Sequence, residues 1–312
     1  RIGRICPGLP IGLPGPGLST PPVLSLGTEK QKEEYFQRFL NKDRPVWGCF
    51  AITEPQSGSD ATAMRTTAKR DGNTYILNGD KCFITCGARA DVVVVFATLN
   101  PDKGRFGIRA FVVPRETPGF TISSCEEMMG LRASQLASLS FDDCVLPAEY
   151  MLGWNGKRGP WIDAFTGAQN AWDYMRPVLA SMMNGSSAGI LDYAERCLDS
   201  GDHILSRAMA GGARNQISKF RARCYASQLL ALRAAWKFDH GESTSMDASM
   251  AKACASSLGT EVAHSLASLF PVHAATAGNR IEKYYRDAKA FDIIEGTGDM
   301  QRLLIARSYD NN

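Results

Sequence analysis

Histidine is scarce in this chain, with four residues in 312, and those four (His203, His240, His264 and His273) are scattered. Cys82-x₃-Cys86 has no second ligand pair to complete it, so no metal site is expected from spacing. Charge of one sign is also missing. Lys plus Arg number 35 against 32 Asp plus Glu, giving a net charge of +3, too small and too evenly spread for the basic face a nucleic acid needs. Long apolar runs are absent: the longest, Val92–Ala97, falls far short of the roughly 20 residues of a membrane-spanning helix. Gly8, Pro10, Gly12, Pro14 and Pro16 interrupt the stretch where a signal peptide would carry its apolar core, and none is expected. Nine cysteines form no tight framework, which reads as reduced thiols in a cytosolic compartment. What is present is ordinary for a globular chain: 44% hydrophobic and 21% charged residues, and a length that suits about two domains. The chain starts at Arg1, not Met, and reads as a fragment whose amino-terminal part is missing.

The texture changes twice. Thr28 and Gln31 predict a capping box ahead of Tyr35, Phe36, Phe39 and Leu40 at helical spacing, the end of something that begins upstream. From Trp47 to Leu152 short runs of Val, Ile, Phe and Tyr predict strands: Thr74–Leu77, Cys82–Thr85, Val92–Thr98, Ile108–Val113, Phe120–Ile122, Leu139–Phe141 and Cys144–Leu146. Asn78-Gly79, with Asp71-Gly72 before it, is a hairpin signal. Val92–Phe96 does not alternate and should be buried on both faces. The whole predicts a compact antiparallel barrel or sandwich. After Met151 the pattern is helical. Pro177 marks the start of a helix carrying Val178, Leu179, Met182, Met183, Ser186, Ile190, Leu191, Ala194 and Leu198. Ile217, Phe220, Cys224, Leu229, Leu232 and Trp236 mark a second helix. Met246, Met250, Cys254, Leu258, Val262 and Leu266 mark a third, and Met300, Leu303, Leu304 and Ile305 a short last one. These stripes predict the core of a helical bundle. The boundaries this suggests are 1–46, 47–152 and 153–312.

Four segments could carry chemistry. Thr53-Glu54-Pro55-Gln56-Ser57-Gly58-Ser59-Asp60 puts small hydroxyl residues and Gly after a strand, where backbone amides can approach a planar or anionic ligand; alone it is a turn. Ile293-Ile294-Glu295-Gly296-Thr297-Gly298-Asp299-Met300 offers a carboxylate with an apolar approach, able to act as a base of raised pKa, beside a helix start able to hold a phosphate; alone it is a cap beside a solvated Glu. Trp172-Asp173-Tyr174-Met175-Arg176-Pro177 reads alone as a cap with a surface ion pair. Gly185-Ser186-Ser187-Ala188-Gly189 matches a nucleophile elbow in letters, but it lies inside a helical stripe with no strand before it, so close helix packing is expected instead.

In order and spacing these segments resemble the acyl-CoA dehydrogenase family of flavoproteins. The resemblance runs from Leu26-Gly27-Thr28-Glu29-Lys30-Gln31 to Arg302-Leu303-Leu304-Ile305-Ala306-Arg307. Its most specific parts are Thr53-Glu54-Pro55 with Gly58-Ser59-Asp60, Phe83-Ile84-Thr85, and Arg286-Asp287-Ala288-Lys289 followed by Ile294-Glu295-Gly296-Thr297. It implies an α+β multidomain fold: a middle β-domain and a carboxy-terminal four-helix bundle, with the amino-terminal helical domain mostly absent. It implies FAD and an acyl thioester, with Glu295 removing the α-proton while the β-hydrogen leaves as hydride to flavin N5, and the Glu295 N–H holding the enolate oxygen. It places Phe50, Ile52, Thr53, Phe83, Ile84 and Thr85 along the flavin ring. Gly58 and Ser59 would meet flavin phosphates, Ser59 also the pantetheine arm, and Asp173 and Arg176 would lie on the CoA side. Gly296, Thr297 and Asp299 would sit at the cofactor beside the helix start, and Arg207 would reach a neighbouring subunit's FAD pyrophosphate. The acceptor implied is an electron-transferring flavoprotein, the assembly a homodimer or homotetramer, and the setting fatty acid metabolism in the cytoplasm (the mitochondrial matrix in a eukaryote).

Three departures accompany the resemblance. Phe83 stands where the family has Trp. Ala210-Gly211 replaces Phe-Gly after Arg207, and the chain is about two residues short before Gln216. Ser268-Leu269-Phe270-Pro271-Val272 aligns with a Gln-x-x-Gly-Gly segment, where Pro271 lacks an N–H and Val272 is branched. An altered grip on the adenine end or a different assembly follows. The alternatives carried forward are an acyl thioester oxidase, a dehydrogenase of acyl-carrier thioesters, and a non-catalytic partner subunit.

Overall fold

The computed structural model describes residues 2–40, 43–156 and 163–310. They divide into two units, one of Ile11–Met128 with Arg132–Trp172, the other of residues 2–10, Met129–Leu131 and Asp173 onward. Helices α1 (Gly8–Ile11), α2 (Thr20–Leu26) and α3 (Glu29–Gln37) precede seven strands: β1 (Gly48–Ala51), β2 (Thr67–Asp71), β3 (Thr74–Ile84), β4 (Val92–Thr98), β5 (Ile108–Pro114), β6 (Phe120–Cys125) and β7 (Ala137–Pro147). The strands lie in the order β1-β4-β2-β3-β7-β6, with β5 against β4. Pairing is antiparallel from β2 through β3 and β7 to β6 and between β4 and β5, while β1 runs parallel to β4 with Gly48 opposite Val92.

β4 is buried at every residue, as a run without alternation requires. Val93, Val95 and Ala97 meet Tyr75, Leu77, Phe111 and Leu139 on one face. Val92, Val94 and Phe96 meet Val23, Leu26, Tyr35, Phe165 and Ala168 on the other. That second layer is helical, supplied by α2, α3 and the first turns of α4 (Ala164–Ser200). The expected capping box is present: Gln31 N donates to Thr28 Oγ1 at 3.3 Å and Thr28 N to Gln31 Oε1 at 3.0 Å. The Gly/Pro-rich opening is pinned to the sheet edge, with Gly15 N donating to Val46 O at 2.8 Å and Gly48 N to Gly15 O at 2.9 Å.

Three local expectations change. No hairpin forms at Asn78-Gly79: β3 runs straight through it, and the chain turns at Asp71–Asn73 between β2 and β3. Asn-Gly serves a bulge as readily as a turn. Gly79 takes φ +141° at a register slip against β7, and a Cβ there would lie 2.6 Å from Thr66 Oγ1. Asn78 fastens the bulge by accepting from Asp143 N at 2.8 Å. The runs Leu139–Phe141 and Cys144–Leu146 are likewise one strand, β7. Strand β2 carries a single buried residue, Ala68, among Lys69, Arg70 and Asp71, and so shows no apolar signal.

The second unit holds α4 from Asp173, then α5 (Arg207–Asp239), α6 (Ser245–Leu269), α7 (Pro271–Ala275), α8 (Arg280–Ile293) and α9 (Gly298–Asp310). α6 is the hub, packed on α5, α8 and α9. Pro177 does not start a helix but lies inside α4. Burial of Ala164, Phe165 and Ala168 extends the helix upstream and outweighs the hydrogen bond that the proline removes. Leu229, Leu232 and Trp236 are not core: each is more than half exposed, whereas Ala213, Ile217, Phe220, Cys224, Ala231 and Ala234 face inward. α5 thus has two apolar stripes, and periodicity alone does not say which one packs. Gly185–Gly189 is mid-helix, as expected. Ser187 Oγ donates to Met183 O at 2.9 Å and meets Tyr284 Oη at 2.8 Å, while a Cβ on Gly189 would come within 2.1 Å of Arg4 O.

Candidate active site

Glu295 follows the last turn of α8 and precedes α9. Its backbone is left-handed at φ +57°, followed by Gly296 at φ +88°. A non-glycine residue in that region costs on the order of 1–2 kcal/mol, so the surroundings must hold it there. They do. Arg176 Nε donates to Glu295 O at 3.3 Å, and Gln301 Nε2 donates to Glu295 O and Gly296 O, both at 3.1 Å. Lys252 Nζ donates to Asp292 O at 2.9 Å and Gly296 O at 2.7 Å. The turn also needs glycine at 296, where a Cβ would lie 2.6 Å from Gln301 Nε2.

The carboxylate itself is treated differently from its backbone. Glu295 Oε2 is enclosed and has no hydrogen-bond partner among the described residues. Burial pushes its pKa from 4.5 up to about 7, against the pull of the Arg176 and Lys252 cations. Arg176 is not a surface residue. It is buried, with its NH1 2.9 Å from Asp173 Oδ1. Lys252 is buried as well, and burial lowers its pKa to about 8. Sequence reading misses Lys252 because a lysine in an apolar helical stripe looks like an interruption, whereas here it caps the end of α8.

In the β unit, Thr53 and Phe83 lie on neighbouring segments, with Cys82 N donating to Thr53 O at 3.0 Å. The two are joined by a buried ion pair that the sequence does not announce. Lys81 Nζ lies 2.8 Å from Glu54 Oε1 and 3.1 Å from Ile52 O. Glu54 also accepts from Arg65 N, Thr66 N and Gln56 Nε2 at 2.6, 2.9 and 2.6 Å. Burial alone would raise the Glu54 pKa; the Lys81 charge and these amides carry it below its ordinary value. Phe83 combines a left-handed φ of +55° with a side chain open to solvent, the residue being 55% exposed. An aromatic held in a strained conformation and open to solvent fits a planar ligand. Phe50 is half-buried, 5.1 Å from the Phe96 ring, Ile52 and Ile84 are buried, and Thr85 is half-buried in the following turn.

Of the remaining expected residues Gly58, Ser59, Arg207 and Asp299 are open to solvent and Thr297 is half-buried. Gly58 and Ser59 are exposed, and nothing lies within 4 Å of a Cβ on Gly58. Arg207 is exposed at the first position of α5, after the Ser206 cap. A cation there opposes the helix dipole, so an anion is its natural complement. Thr297 caps α9, accepting from Met300 N at 3.3 Å, and Asp299 pairs with Arg302 at 3.0 Å in the first turn. Val272 is exposed on α7. A cavity of about 560 Å³ opens elsewhere in the β unit, lined by Lys69, Arg70, Lys103 and Arg109 among others, and none of the residues above lines it.

Residues 49–144 match the sequence profile of the acyl-CoA dehydrogenase middle domain, and residues 165–309 that of its C-terminal domain. The chain is 34% identical over 294 residues to the mitochondrial short-chain specific acyl-CoA dehydrogenase of Rattus norvegicus, spanning 92% of this chain and 69% of that one. The fold superposes on butyryl-CoA dehydrogenase of Megasphaera elsdenii with a TM-score of 0.84 at 29% identity, over 99% of this chain and 79% of the other. It also superposes on a chain from the electron transferring flavoprotein structure of Acidaminococcus fermentans with a TM-score of 0.85 at 31% identity, over 98% and 77%. Fold and matched domains together define a flavoprotein oxidoreductase that uses FAD. The chain belongs to the acyl-CoA dehydrogenase family.

Proposed function

We propose that this chain catalyses α,β-dehydrogenation of an acyl-CoA, with Glu295 as the base that takes the α-proton. The observation that carries this is the enclosed, unpartnered Glu295 Oε2, whose burial pushes the carboxyl pKa up to about 7. A thioester α-proton is weakly acidic, so the base must be poorly hydrated and close to its working pH. Bound FAD supplies the hydride acceptor. Phe50, Ile52, Thr53, Phe83, Ile84 and Thr85 would hold its ring. Gly58 and Ser59 would serve its phosphates, Ser59 also the pantetheine arm of the substrate, Gly296, Thr297 and Asp299 would sit against the cofactor at the start of α9, and Arg207 would reach the FAD pyrophosphate of a neighbouring subunit. Asp173 and Arg176 belong to the CoA side, and Arg176 has a second task in fixing the Glu295 carbonyl. The product is a trans-2-enoyl-CoA, the proposed acceptor an electron-transferring flavoprotein, and the proposed assembly a dimer or tetramer. The intact Glu295 pocket speaks against a non-catalytic subunit. Among the described residues no helix is long and apolar enough to cross a membrane. Anaerobic mixing of the purified chain with a panel of acyl-CoAs tests the reading: flavin bleaching by at least one supports it, and bleaching by carrier-bound thioesters alone overturns the CoA assignment.

Two further results are expected. Lys252→Met deprives the Asp292 carbonyl of its side-chain donor, at a cost of about 1–3 kcal/mol, leaves the Gly296 carbonyl to Gln301, and removes a cation that draws the Glu295 pKa down. The acid limb of kcat/KM should move to higher pH, and turnover at pH 7 should fall about tenfold with FAD content unchanged. A pH profile that does not move would deny Lys252 this role. Phe83→Asn relieves left-handed strain, because Asn tolerates that region. The FAD-free chain should melt about 2 °C higher while retaining less FAD, as read by thermal melts and flavin absorbance.

A further inference from the structure

We propose that Cys197, Asp202 and His273 form a binding site for one divalent ion of the zinc type. The three come from separate segments: Cys197 from the last turn of α4, Asp202 from the loop after it, and His273 from α7. Their ligating atoms all lie within 4.8 Å of one another. His273 Nε2 is 3.9 Å from Cys197 Sγ and 3.1 Å from Asp202 Oδ2. Around a tetrahedral zinc, with ligand bonds of about 2.0–2.3 Å, neighbouring ligand atoms are roughly 3.4–3.6 Å apart. The measured separations bracket that value.

The alternative for such a trio is a proton relay of thiol, imidazole and carboxylate. That would need Cys197 on one ring nitrogen and Asp202 on the other. Here both converge on Nε2, which has a single lone pair or a single proton to offer. Convergence of a thiol, a carboxylate and one imidazole nitrogen on a common point is the arrangement of a ligand set. The imidazole is packed edge-on against Phe270, with ring centroids 5.8 Å apart, and near Tyr193 at 6.4 Å. The loop is shaped by Asp202 N donating to Cys197 O at 2.9 Å. Cys197 and His273 are buried, whereas the Asp202 side chain is 68% exposed. The ion would therefore enter from the Asp202 side and keep water as its fourth ligand. On binding, the Cys197 thiol proton leaves to solvent and an S–metal bond forms. The site ties the end of α4 to α7, the segment where Pro271 and Val272 replace the glycine pair of the resemblance. It does not depend on the flavin chemistry proposed above.

The test uses the FAD-loaded chain, stripped of metal by a chelator and dialysed against zinc. Elemental analysis should find one zinc per chain, and X-ray absorption at the zinc edge should show one sulfur at about 2.3 Å with nitrogen and oxygen neighbours near 2.0–2.1 Å. Cys197→Ser should lose the sulfur shell. Asp202→Asn, an exposed substitution with no folding risk, should weaken binding about tenfold or more, and zinc should raise the Tm of the wild type by more than that of either variant. Failure to bind zinc, a shell without sulfur, or a sulfur shell that persists in Cys197→Ser would overturn the proposal.

Discussion

Glu295→Gln should slow substrate-driven flavin bleaching by about 10³–10⁴-fold, the upper range for loss of a positioned base, with FAD still bound in full. Its effect on stability has the opposite sign and tests the same physics. The wild-type carboxyl holds its proton to about pH 7 in the folded chain against 4.5 ordinarily. Between those values the folded state binds more protons than the unfolded one, so this group's contribution to stability falls as pH rises and is fully lost above pH 7. Glutamine has no such loss. The variant should therefore melt above the wild type at about pH 9 and level with it at about pH 4. Equal melting points at both values, or bleaching at the wild-type rate, would remove Glu295 from its role.

Lys81→Met should have the largest structural effect. Lys81 and Glu54 are both almost wholly enclosed, and removing one partner of a buried pair leaves the other's charge uncompensated, at a cost of about 3–5 kcal/mol. A fall in Tm of about 10 °C is expected. FAD should be lost with it, because Lys81 is what fastens Ile52 and Glu54 to β3 beside Phe83. Glu54→Gln on top of Lys81→Met should recover part of the loss, since it removes the uncompensated charge and its one amide oxygen can still accept from Arg65 N. The depressed Glu54 pKa adds stability above its unfolded value that disappears as pH falls through its folded value. A single variant that melts within a degree of wild type would show that the pair does not hold these segments together.

What the sequence disclosed and what it hid follow one division. Signals confined to a few neighbouring residues were legible: the Thr28 and Gln31 capping box, the doubly buried β4, and the turn that carries Glu295. Features decided by distant partners were not. Asn78-Gly79 reads as a turn until Thr66 and Asp143 are seen beside it, and Pro177 reads as a helix start until the burial of Ala164 and Phe165 is known. Leu229, Leu232 and Trp236 have the spacing of a core and face outward. The buried cations are the hardest case, because Lys81 and Lys252 look like surface residues in any linear reading. Cys197 and His273 stand 76 positions apart, so no spacing rule could have joined them. The segments of the family resemblance supplied the site's outline, and the hydrogen bonds to the Glu295 and Gly296 carbonyls supply the reason its turn holds a left-handed backbone.

The central claim is a carboxyl at residue 295 kept from water and poised near neutrality. Carbon-13 NMR titration of side-chain-labelled glutamates, with the resonance assigned by its absence in Glu295→Gln, measures this directly. A midpoint near pH 7 is expected, and a midpoint in the ordinary carboxylate range near 4.5 would contradict it.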